Sequence, residues 1–497
     1  MRLLETTCPT RPRPASAFGF GAAGKRRARM WPMLAVLVLV ADRPAQAQFA
    51  CPTPDDVRIQ QLLDAAATAG GGTVELGPGI IHTCETLLLG SNVHLRGAGR
   101  GATVIRGAAK VTGKTVDGAL LVATIGGAGV ENVSISDLTV DHRSYRRDAN
   151  GIAFVPTGAD YTGVNSRNWS VERVEVLGAG VPEYHNYLIW NLKGQHVKIL
   201  NNWLTGGFAI PIVASAPQEG IETFGGHDVL ISGNTVQGVG NACINAGSAG
   251  IPQSDTVGIR ITQNYLFGCN IGVHTGTSAD NGGQGNDHTL IEGNVIMRAR
   301  YAGIDVRVAP GTVERDLQIV GNSIRLVGPS ELAVGIHLLS ESTSIRGTVV
   351  ERNHVELVFG ANAHGIRLIS YPNARVINNT IIQTTSDGVH VHASDDVELV
   401  RNRIERAGSH AMSLGPVVRR VVIDDNVLSD WAAPAPALLL RGAVYGTIRN
   451  NSMKRSDGAL PASFVVQDSC GVEMAGNHSL YPGPTSNGST TACPGVQ

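Results

Sequence analysis

The sequence of 497 residues has few charged or aromatic side chains: charged residues make up 16% of it, and Phe, Trp and Tyr together 5%. Beyond the N-terminal region, no apolar stretch is long enough to span a bilayer as a helix. Glycine, at 61 residues, is abundant. This composition is typical of many short strands joined by tight turns. The length alone would suggest two or three domains, but a regular internal repeat favours one elongated body.

The N-terminus has the features of a secretory signal. A basic run from Lys25 to Arg29 precedes the apolar segment Met33–Val40, and Ala45-Gln46-Ala47 has the small-x-small form of a cleavage site. We therefore expect a signal peptide at 1–47 and a protein that is secreted or periplasmic. An uncleaved N-terminal membrane anchor is the alternative.

Cleavage would leave an acidic protein. It would leave 32 Lys and Arg against 39 Asp and Glu, a net charge of −7. That sign argues against nucleic acid and anionic membranes as partners. The oligomeric state is left open.

Six of the seven cysteines lie after the signal, and an even number in an exported chain favours disulfides. The simplest pairing is local and joins Cys51 to Cys84, Cys243 to Cys269, and Cys470 to Cys493. Free buried thiols at Cys243 and Cys269 are the alternative for that pair. No cysteine spacing resembles a zinc site.

One short phrase recurs through the middle of the chain: glycine, an aliphatic residue, a polar residue, then an aliphatic or small one. It occurs at Gly220–Thr223, Gly272–Thr275, Gly303–Val306, Gly335–Leu338, Gly365–Leu368 and Gly388–Val391.

A second phrase places asparagine at intervals of 23 to 32 residues. Its positions are Asn202, Asn234, Asn264, Asn294, Asn322, Asn353, Asn379, Asn402, Asn426, Asn451 and Asn477. Asn tolerates left-handed backbone and can bond its neighbours, so stacked coils would use it at one turn. Two or three short alternating runs per interval predict an all-β fold, a right-handed parallel β-helix with about three strands per coil.

The beginning of the expected mature chain predicts a cap for this solenoid. Asp55 to Gly70 carries apolar residues at helical spacing, with Asp55 or Asp56 as the expected N-cap. Strands are predicted at 71–76 and 92–97. A helix before stacked strands can cover the open end of a solenoid.

The helix, the Gly-Gly-Thr-Val turn at 71–74 and the Asn-Val-x-Leu-x-Gly-x-Gly phrase at 92–99 resemble the pectin lyase-like superfamily. The resemblance extends over roughly residues 50 to 480. We thus expect a β-helix domain at 48–480 and a C-terminal tail at 481–497. The superfamily hosts lyases, hydrolases, epimerases, esterases and non-enzymatic proteins, so the resemblance bears more on fold than on function.

Stacking such coils would align the polar residues of the glycine phrase. Alternate residues of a strand face opposite sides, so Asp305 would point outward while Ile304 and Val306 enter the core. The predicted polar column consists of Glu222, His274, Asp305, His337, Arg367, His390 and Ser413. A partial second column contains Arg307 and His392. Contact with water explains polar residues here, but not the preference for His, Asp and Arg over Lys and Ser.

Histidines beside a carboxylate and an arginine suit proton transfer. Asp305 could orient a neighbouring imidazole, and Arg367 could pair with a sugar carboxylate. We predict a catalytic set of His274, Asp305, His337, Arg367 and His390, with His337 as base and His390 or Tyr187 as the second acid or base. Substrate-binding residues are predicted at Tyr187, Glu222, Phe224, Arg307 and His392. The expected reaction is proton abstraction from an acidic, uronate-containing polysaccharide; the family resemblance implies either lyase or C5-epimerase chemistry.

Two other functions are kept as alternatives. Glu222 and Asp305 are too far apart for inverting hydrolysis, and the polygalacturonase signatures are missing, but loop acids such as Glu219, Asp280 and Asp287 leave a glycoside hydrolase open. A non-catalytic carbohydrate-binding surface protein is the other alternative.

No metal or other cofactor is expected. The oxygen-rich loop Ser278–Asp287 is the place where calcium would bind if any did. His274, Asp305 and His337 have suitable ligand types for a transition metal, but side chains standing parallel on stacked strands converge poorly on one ion.

Overall fold

The computed structural model describes ten stretches of the chain. They are 53–107, 119–124, 129–143, 149–155, 166–178, 186–207, 218–248, 255–277, 285–456 and 463–479. The predicted signal peptide and the predicted C-terminal tail from 481 lie outside them. No helix in these stretches is both long and apolar enough to cross a membrane.

A helix, α1, opens the described chain and spans Pro54–Thr68. Its N-cap is Thr53, not Asp55 or Asp56 as the sequence suggested. Thr53 has extended backbone and its side chain accepts a hydrogen bond from the N–H of Asp56, whose carboxylate in turn accepts from the N–H of Thr53. The aspartate therefore completes a capping box from the third helical position. Ile59 and Leu63 are buried against the first coil, as expected of a cap.

After the helix, the described strands form parallel ladders on the three faces of a right-handed coil. Face 1 is a sheet of 18 strands. Its strands are Gly72–Glu75, Val93–Arg96, Glu131–Ser136, Arg167–Glu172, Gln195–Leu200, His227–Ser232, Asp255–Thr262, Gly285–Asp287, Leu290–Glu292, Val313–Arg315, Gln318–Val320, Ile345–Arg346, Thr348–Glu351, Ala374–Ile377, Glu398–Val400, Val418–Asp424, Ala443–Arg449 and Cys470–Ala475.

Face 2 follows face 1 in each coil. Its strands are Gly79–Thr83, Thr103–Gly107, Thr139–Asp141, Glu175–Leu177, Trp203–Thr205, Thr235–Gln237, Tyr265–Phe267, Val295–Met297, Thr380–Thr384, Arg403–Ala407, Val427–Ser429, Ser452–Lys454 and His478–Ser479.

The third face, here called the site face, carries the glycine phrase. Its strands are Leu87–Leu88, Ala119–Thr124, Ala149–Phe154, Asn186–Leu192, Gln218–Phe224, Ala242–Gly247, Ile271–Gly276, Ala302–Val308, Val389–His392, Met412–Leu414, Leu438–Arg441 and Phe464–Gln467. Two long strands, Ser323–Ser340 and His354–Ile369, bend from face 2 onto the site face and join the two into one sheet. The predicted parallel β-helix with a capping helix is confirmed.

The glycines of the repeated phrase lie at or near the start of the site-face strands. A Cβ on Gly335 would lie 2.3 Å from Val355 Cγ1 and 2.4 Å from the carbonyl oxygen of Gly365, well inside contact distance. The next residue, Ile336, is in the core. Glycine therefore recurs because a side chain at this position would overlap the next coil.

The asparagine column forms a continuous buried ladder from Asn202 to Asn477. In each step the backbone N–H and Nδ2 of one Asn both donate to Oδ1 of the next; from Asn294 to Asn322 both distances are 3.0 Å. Nδ2 of Asn294 also donates to the carbonyl oxygen of Ile261, at 2.8 Å. The expected bonding is present, but the left-handed residue is the one before each ladder Asn, such as Arg352 before Asn353. The ladder Asn supplies its side chain to the stack while its predecessor makes the turn.

One of the three predicted local disulfides lies wholly within the described residues and is confirmed. Cys243 and Cys269 form a disulfide between adjacent coils, with their Cα atoms 5.7 Å apart. Cys84 and Cys470 are also disulfide-bonded; Cys51 and Cys493 lie outside the described residues.

Candidate active site

The strand register brings the predicted polar column together in order. Each member pairs with the next across one coil: Glu222 with Asn245, Asn245 with His274, His274 with Asp305, Asp305 with His337, His337 with Arg367, Arg367 with His390, and His390 with Ser413. The coil between Glu222 and His274 contributes Asn245. Arg307 and His392 occupy the second column, three coils apart. At about 4.8 Å per coil, that pair is separated by about 14 Å and does not form one site.

The column points away from the core, but its centre does not face water. Ile304 and Val306 lie in the core, as predicted, yet Asp305 between them has no exposed surface. Only 2% of His337 and 2% of Glu222 is exposed. Contact with solvent therefore does not explain these polar residues. Burying them costs free energy unless other polar groups compensate, which points to a role beyond solubility.

Asp305 is the hub of what we call the central cluster: His274, Tyr301, Asp305, Arg307, His337 and Arg367. One carboxylate oxygen of Asp305 lies 2.9 Å from His337 Nδ1, and the other lies 2.9 Å from Arg307 Nε and 3.2 Å from His274 Nδ1. Burial raises the pKa of Asp305, but hydrogen bonds to His274 and His337 and the positive charges nearby outweigh it, so that pKa lies below its usual value. The carboxylate stays ionised despite its burial.

The ionised carboxylate fixes the tautomer of His337. A carboxylate only accepts hydrogen bonds, so Nδ1 of His337 carries a proton and Nε2 of the neutral ring is free to accept one. Arg367 Nη1 lies 3.5 Å from that Nε2 and covers it. Burial lowers the pKa of Arg367. Among the described residues Arg367 has no carboxylate partner, and its buried Nε has no hydrogen bond.

Tyr301 also belongs to the central cluster, although it was not among the site residues predicted from the sequence. Its hydroxyl lies 3.3 Å from His337 Nδ1 and accepts a hydrogen bond from Arg307 Nη2 at 3.4 Å. The ring meets the imidazole edge-on, with centroids 6.2 Å apart. Burial and the charge of Asp305 raise the pKa of Tyr301, so the phenol keeps its proton near neutral pH.

A second group, here called the carboxyl cluster, lies toward the N-terminal end of the column. Asn245 Nδ2 is 2.8 Å from Glu219 Oε2 and 3.5 Å from Glu222 Oε2. Burial, the charge of Glu219 and a hydrogen bond to it raise the pKa of Glu222 well above its usual value. Glu222 therefore keeps its proton to a higher pH than an exposed glutamate does. Tyr187, also predicted as substrate-binding, pairs in register with Glu219. Its ring packs beside that of Trp190, with the ring centroids 5.1 Å apart.

A third group, the histidine cluster, lies toward the C-terminal end and comprises His364, Asp387, His390 and Ser413. Ser413 Oγ donates to Asp387 Oδ2 at 2.7 Å and lies 2.8 Å from His390 Nδ1. Burial raises the pKa of Asp387, but hydrogen bonds to His390 and Ser413 lower it to about 2. Burial and the nearby charge of His390 lower the pKa of His364 to about 4. His390, predicted as catalytic, thus belongs to a separate set.

The other predicted positions lie outside these sets. Phe224 packs against the apolar patch around Trp190. His392 is half-buried at the C-terminal end of its strand. Asp287 ends a strand of face 1, and its Oδ1 lies 2.8 Å from Nδ1 of the adjacent His288. Residues 278–284 of the predicted calcium loop, Asp280 included, lie outside the described residues.

Two groups among the described residues bring three metal-ligating atoms within 4.8 Å of one another. They are His364, Asp387 and His390, and on face 1 Asp287, His288 and Asp316. His274, Asp305 and His337 do not form such a group.

Three ionisable residues of the two end clusters, all outside the predicted polar column, share one position in the repeat. Glu219, His364 and Asp387 directly precede the phrase glycine, where the central coils carry the apolar Ile271, Ala302 and Val334. Tyr301 stands one residue earlier still. A change from apolar to ionisable residues immediately before the glycine is therefore the signal that could have located both end clusters.

The comparisons with known proteins agree with the fold. Residues 250–412 and 312–478 match the family model described as right handed beta helix region. A mannuronan C5-epimerase of Azotobacter vinelandii, AlgE6, is 39% identical over 139 residues, which cover 24% of this chain and 14% of that protein. Alginate lyase 7 of the same organism is 34% identical over 142 residues, covering 25% of this chain and 15% of that protein. The chain thus matches only about a seventh of these relatives' length.

The A-module of AlgE6 superposes with a TM-score of 0.33 and 18% identity, over 87% of this chain and 96% of the module. The family match and the observed coil agree, and the chain is a right-handed parallel β-helix protein.

Proposed function

We propose that this protein is an exported enzyme that acts on a uronate-containing polysaccharide by abstracting the proton beside the sugar carboxylate, as a C5-epimerase or a lyase. The observation that carries the proposal is the buried Asp305–His337 pair beside Arg367, which has no carboxylate partner within the described stretches. The matched relatives support this substrate class, since their names are mannuronan C5-epimerase and alginate lyase.

His337 is the proposed base. Its Nδ1–H donates a hydrogen bond to Asp305, so Nε2 is the atom that would take the C5 proton of the sugar. The ionised carboxylate would then stabilise the imidazolium that forms. The base is buried, with Arg367 over its free nitrogen. A substrate carboxylate would draw the guanidinium toward itself and uncover Nε2. Substrate binding and exposure of the base are then the same event.

Arg367 is the proposed carboxylate partner. Proton abstraction next to a carboxylate builds negative charge on the carboxylate oxygens, and a planar cation that forms two hydrogen bonds stabilises that charge. Arg307, the other arginine of the central cluster, already has a carboxylate partner in Asp305. Arg367 is free to exchange its hydrogen bond with His337 for one with substrate.

Tyr301 is the proposed acid. Its oxygen accepts a hydrogen bond from Arg307, which leaves its own proton directed elsewhere, and its raised pKa keeps that proton in place. Returning a proton to C5 from the opposite face would invert the sugar, whereas protonating the glycosidic oxygen would complete β-elimination. Both outcomes use the same base and the same stabilised intermediate.

The carboxyl cluster gives little support to glycoside hydrolysis. Flanking carboxyl groups in glycosidases stand at least about 5 Å apart, so that the glycosidic bond fits between them. Glu219 and Glu222 instead bond to each other and to Asn245. Next to Tyr187 and Trp190 they are better suited to binding sugar hydroxyls.

The test is to incubate the purified full-length protein with mannuronan, alginate and pectate in deuterated water. Proton NMR would follow deuterium at C5 and the change of uronate configuration, and ultraviolet absorbance would follow unsaturated uronate. We expect His337→Gln and Tyr301→Phe each to slow the reaction by about 100-fold or more, because a positioned acid or base contributes 10²–10⁴-fold. Arg367→Lys should be slowed as well, chiefly through kcat.

Matched controls are His354→Gln and Tyr265→Phe on face 2, which should react at the wild-type rate. Wild-type activity that survives His337→Gln would remove this base from the mechanism. Failure of every polymer to exchange deuterium would refute proton abstraction on these substrates.

A further inference from the structure

The histidine cluster has the geometry of a metal-binding site. His364, Asp387 and His390 each offer one ligand atom, and these atoms all lie within 4.8 Å of one another. Nδ1 of His364 lies 3.6 Å and Nδ1 of His390 lies 3.2 Å from the same oxygen, Asp387 Oδ2. With metal–ligand bonds of about 2.0–2.1 Å, neighbouring ligands of a tetrahedral ion stand about 3.4 Å apart. Both measured separations are close to that value.

Burial distinguishes this group from a surface cluster. His364 is 7% exposed and Asp387 is 6% exposed, while His390 is more open. Nδ1 of His364 is buried without a hydrogen-bond partner, 3.6 Å from the shared carboxylate oxygen. A buried polar atom left unpaired costs free energy. A bound cation would satisfy that atom.

We propose that His364, Asp387 and His390 bind one divalent transition-metal ion, with Zn²⁺ as the best-suited species. Two imidazole nitrogens and one carboxylate oxygen match the ligand preferences of zinc and are a poor match for calcium, which takes oxygen ligands. Three protein ligands leave a fourth position, on the more open side of His390. Water or a carboxylate would occupy it.

The neighbouring residues are arranged to support such a site. Ser413 Oγ donates to Asp387 Oδ2 and so orients that ligand; it also contacts His390 Nδ1, and the ion would replace that contact. The N–H of His410 donates to the other carboxylate oxygen of Asp387, at 3.2 Å. Such hydrogen bonds to ligands orient them before the metal arrives. His410 itself turns away, with its Nδ1 2.9 Å from the carbonyl oxygen of Pro436.

The site does not depend on the proposed reaction, because its ligands are distinct from His337 and Tyr301. It is next to that chemistry, however, since His390 pairs with Arg367 across one coil. An ion there would place a second positive charge beside the arginine proposed to bind the sugar carboxylate.

The test uses the full-length protein stripped of metal with a chelator and then titrated with ZnCl₂ by calorimetry. We expect one equivalent to bind, CaCl₂ not to compete, and Co²⁺ to give the visible absorption bands of a low-symmetry nitrogen and oxygen site. His364→Gln and His390→Gln should each weaken binding by at least about 100-fold, because each removes a direct ligand.

His288→Gln is the matched control, because His288 belongs to the exposed group on face 1. It should bind zinc like the wild type. Thermal unfolding provides a check on folding: the metal-free variants should melt like the metal-free wild type, and zinc should raise the melting temperature of the wild type and His288→Gln only. Absence of stoichiometric binding in the wild type, or its loss in His288→Gln instead of His364→Gln, would overturn the proposal.

Discussion

Glu314 provides a quantitative test of how this solenoid tolerates an ionisable group in its interior. Its side chain has no exposed surface, and one carboxyl oxygen accepts a hydrogen bond from Asn286 Nδ2 at 3.0 Å. The other oxygen is buried without a partner. Burial raises the pKa of Glu314 to about 8. We predict that Glu314→Gln stabilises the protein, because glutamine has the shape of the protonated acid and never ionises.

The size of the effect follows from proton linkage. Between its unfolded pKa near 4.5 and its folded pKa near 8, the native state binds more protons than the unfolded state, so wild-type stability falls as pH rises. At about 1.4 kcal/mol per pKa unit, the variant should exceed the wild type by about 1 kcal/mol at pH 5, about 3 kcal/mol at pH 7 and about 4 kcal/mol at pH 8. Asn286 Oδ1, also buried and unpartnered, is available to the new amide.

The assay is urea unfolding followed by tryptophan fluorescence for both proteins at pH 5, 6, 7 and 8. Glu292→Gln, at an exposed glutamate on the same face, is the control and should show no pH-dependent gain. A stability difference between Glu314→Gln and wild type that is constant across this range would refute the reasoning, because it would mean that Glu314 is not protonated by folding.

Two further predictions concern the repeat itself. Asn322→Ala should lower the free energy of unfolding by about 2–4 kcal/mol, because it leaves the buried donors of Asn294 and the carbonyl oxygen of Ile291 unpaired. The control is Asn132→Ala, in an exposed asparagine stack, which should lower it by well under half of that in the same urea titration. Gly335→Ala should cost about 1–3 kcal/mol through overlap with the next coil, measured in the same way, and a neutral result would mean that the coils can separate there.

The fold could be predicted because two independent sequence signals mark fixed positions in each coil. Glycine is required where Gly335 meets the backbone of Gly365, and asparagine is required where the ladder replaces backbone hydrogen bonds. With two markers per coil, counting two residues past the glycine gives the register of the polar column, as the pairing of Asp305 with His337 shows.

Burial and side-chain contacts could not be predicted in the same way. Asp305 is covered by Arg307, a residue of its own strand whose side chain folds back, and by His274 and His337 from neighbouring coils. Alternation gives the side of the strand from which a side chain leaves, not what covers it. The helix start was misplaced for a related reason, because Asp56 has the right side chain for a cap but acts from inside the helix, on Thr53.

The distribution of ionisable groups along the site face argues that function, more than stability, determines it. A solenoid of this kind gains its stability from the apolar stack and the asparagine ladder, and neither needs a buried carboxylate. Ionised Asp305 is stabilised in its buried position by His274, His337 and Arg307, and replacing such a set by apolar residues is often neutral or stabilising. The same coils show that an apolar solution exists, since Ile271, Ala302 and Val334 fill the neighbouring column. Where the chain instead keeps acids and histidines buried together, the electrostatic cost is understandable if those groups move a proton at His337 and hold a cation at His364.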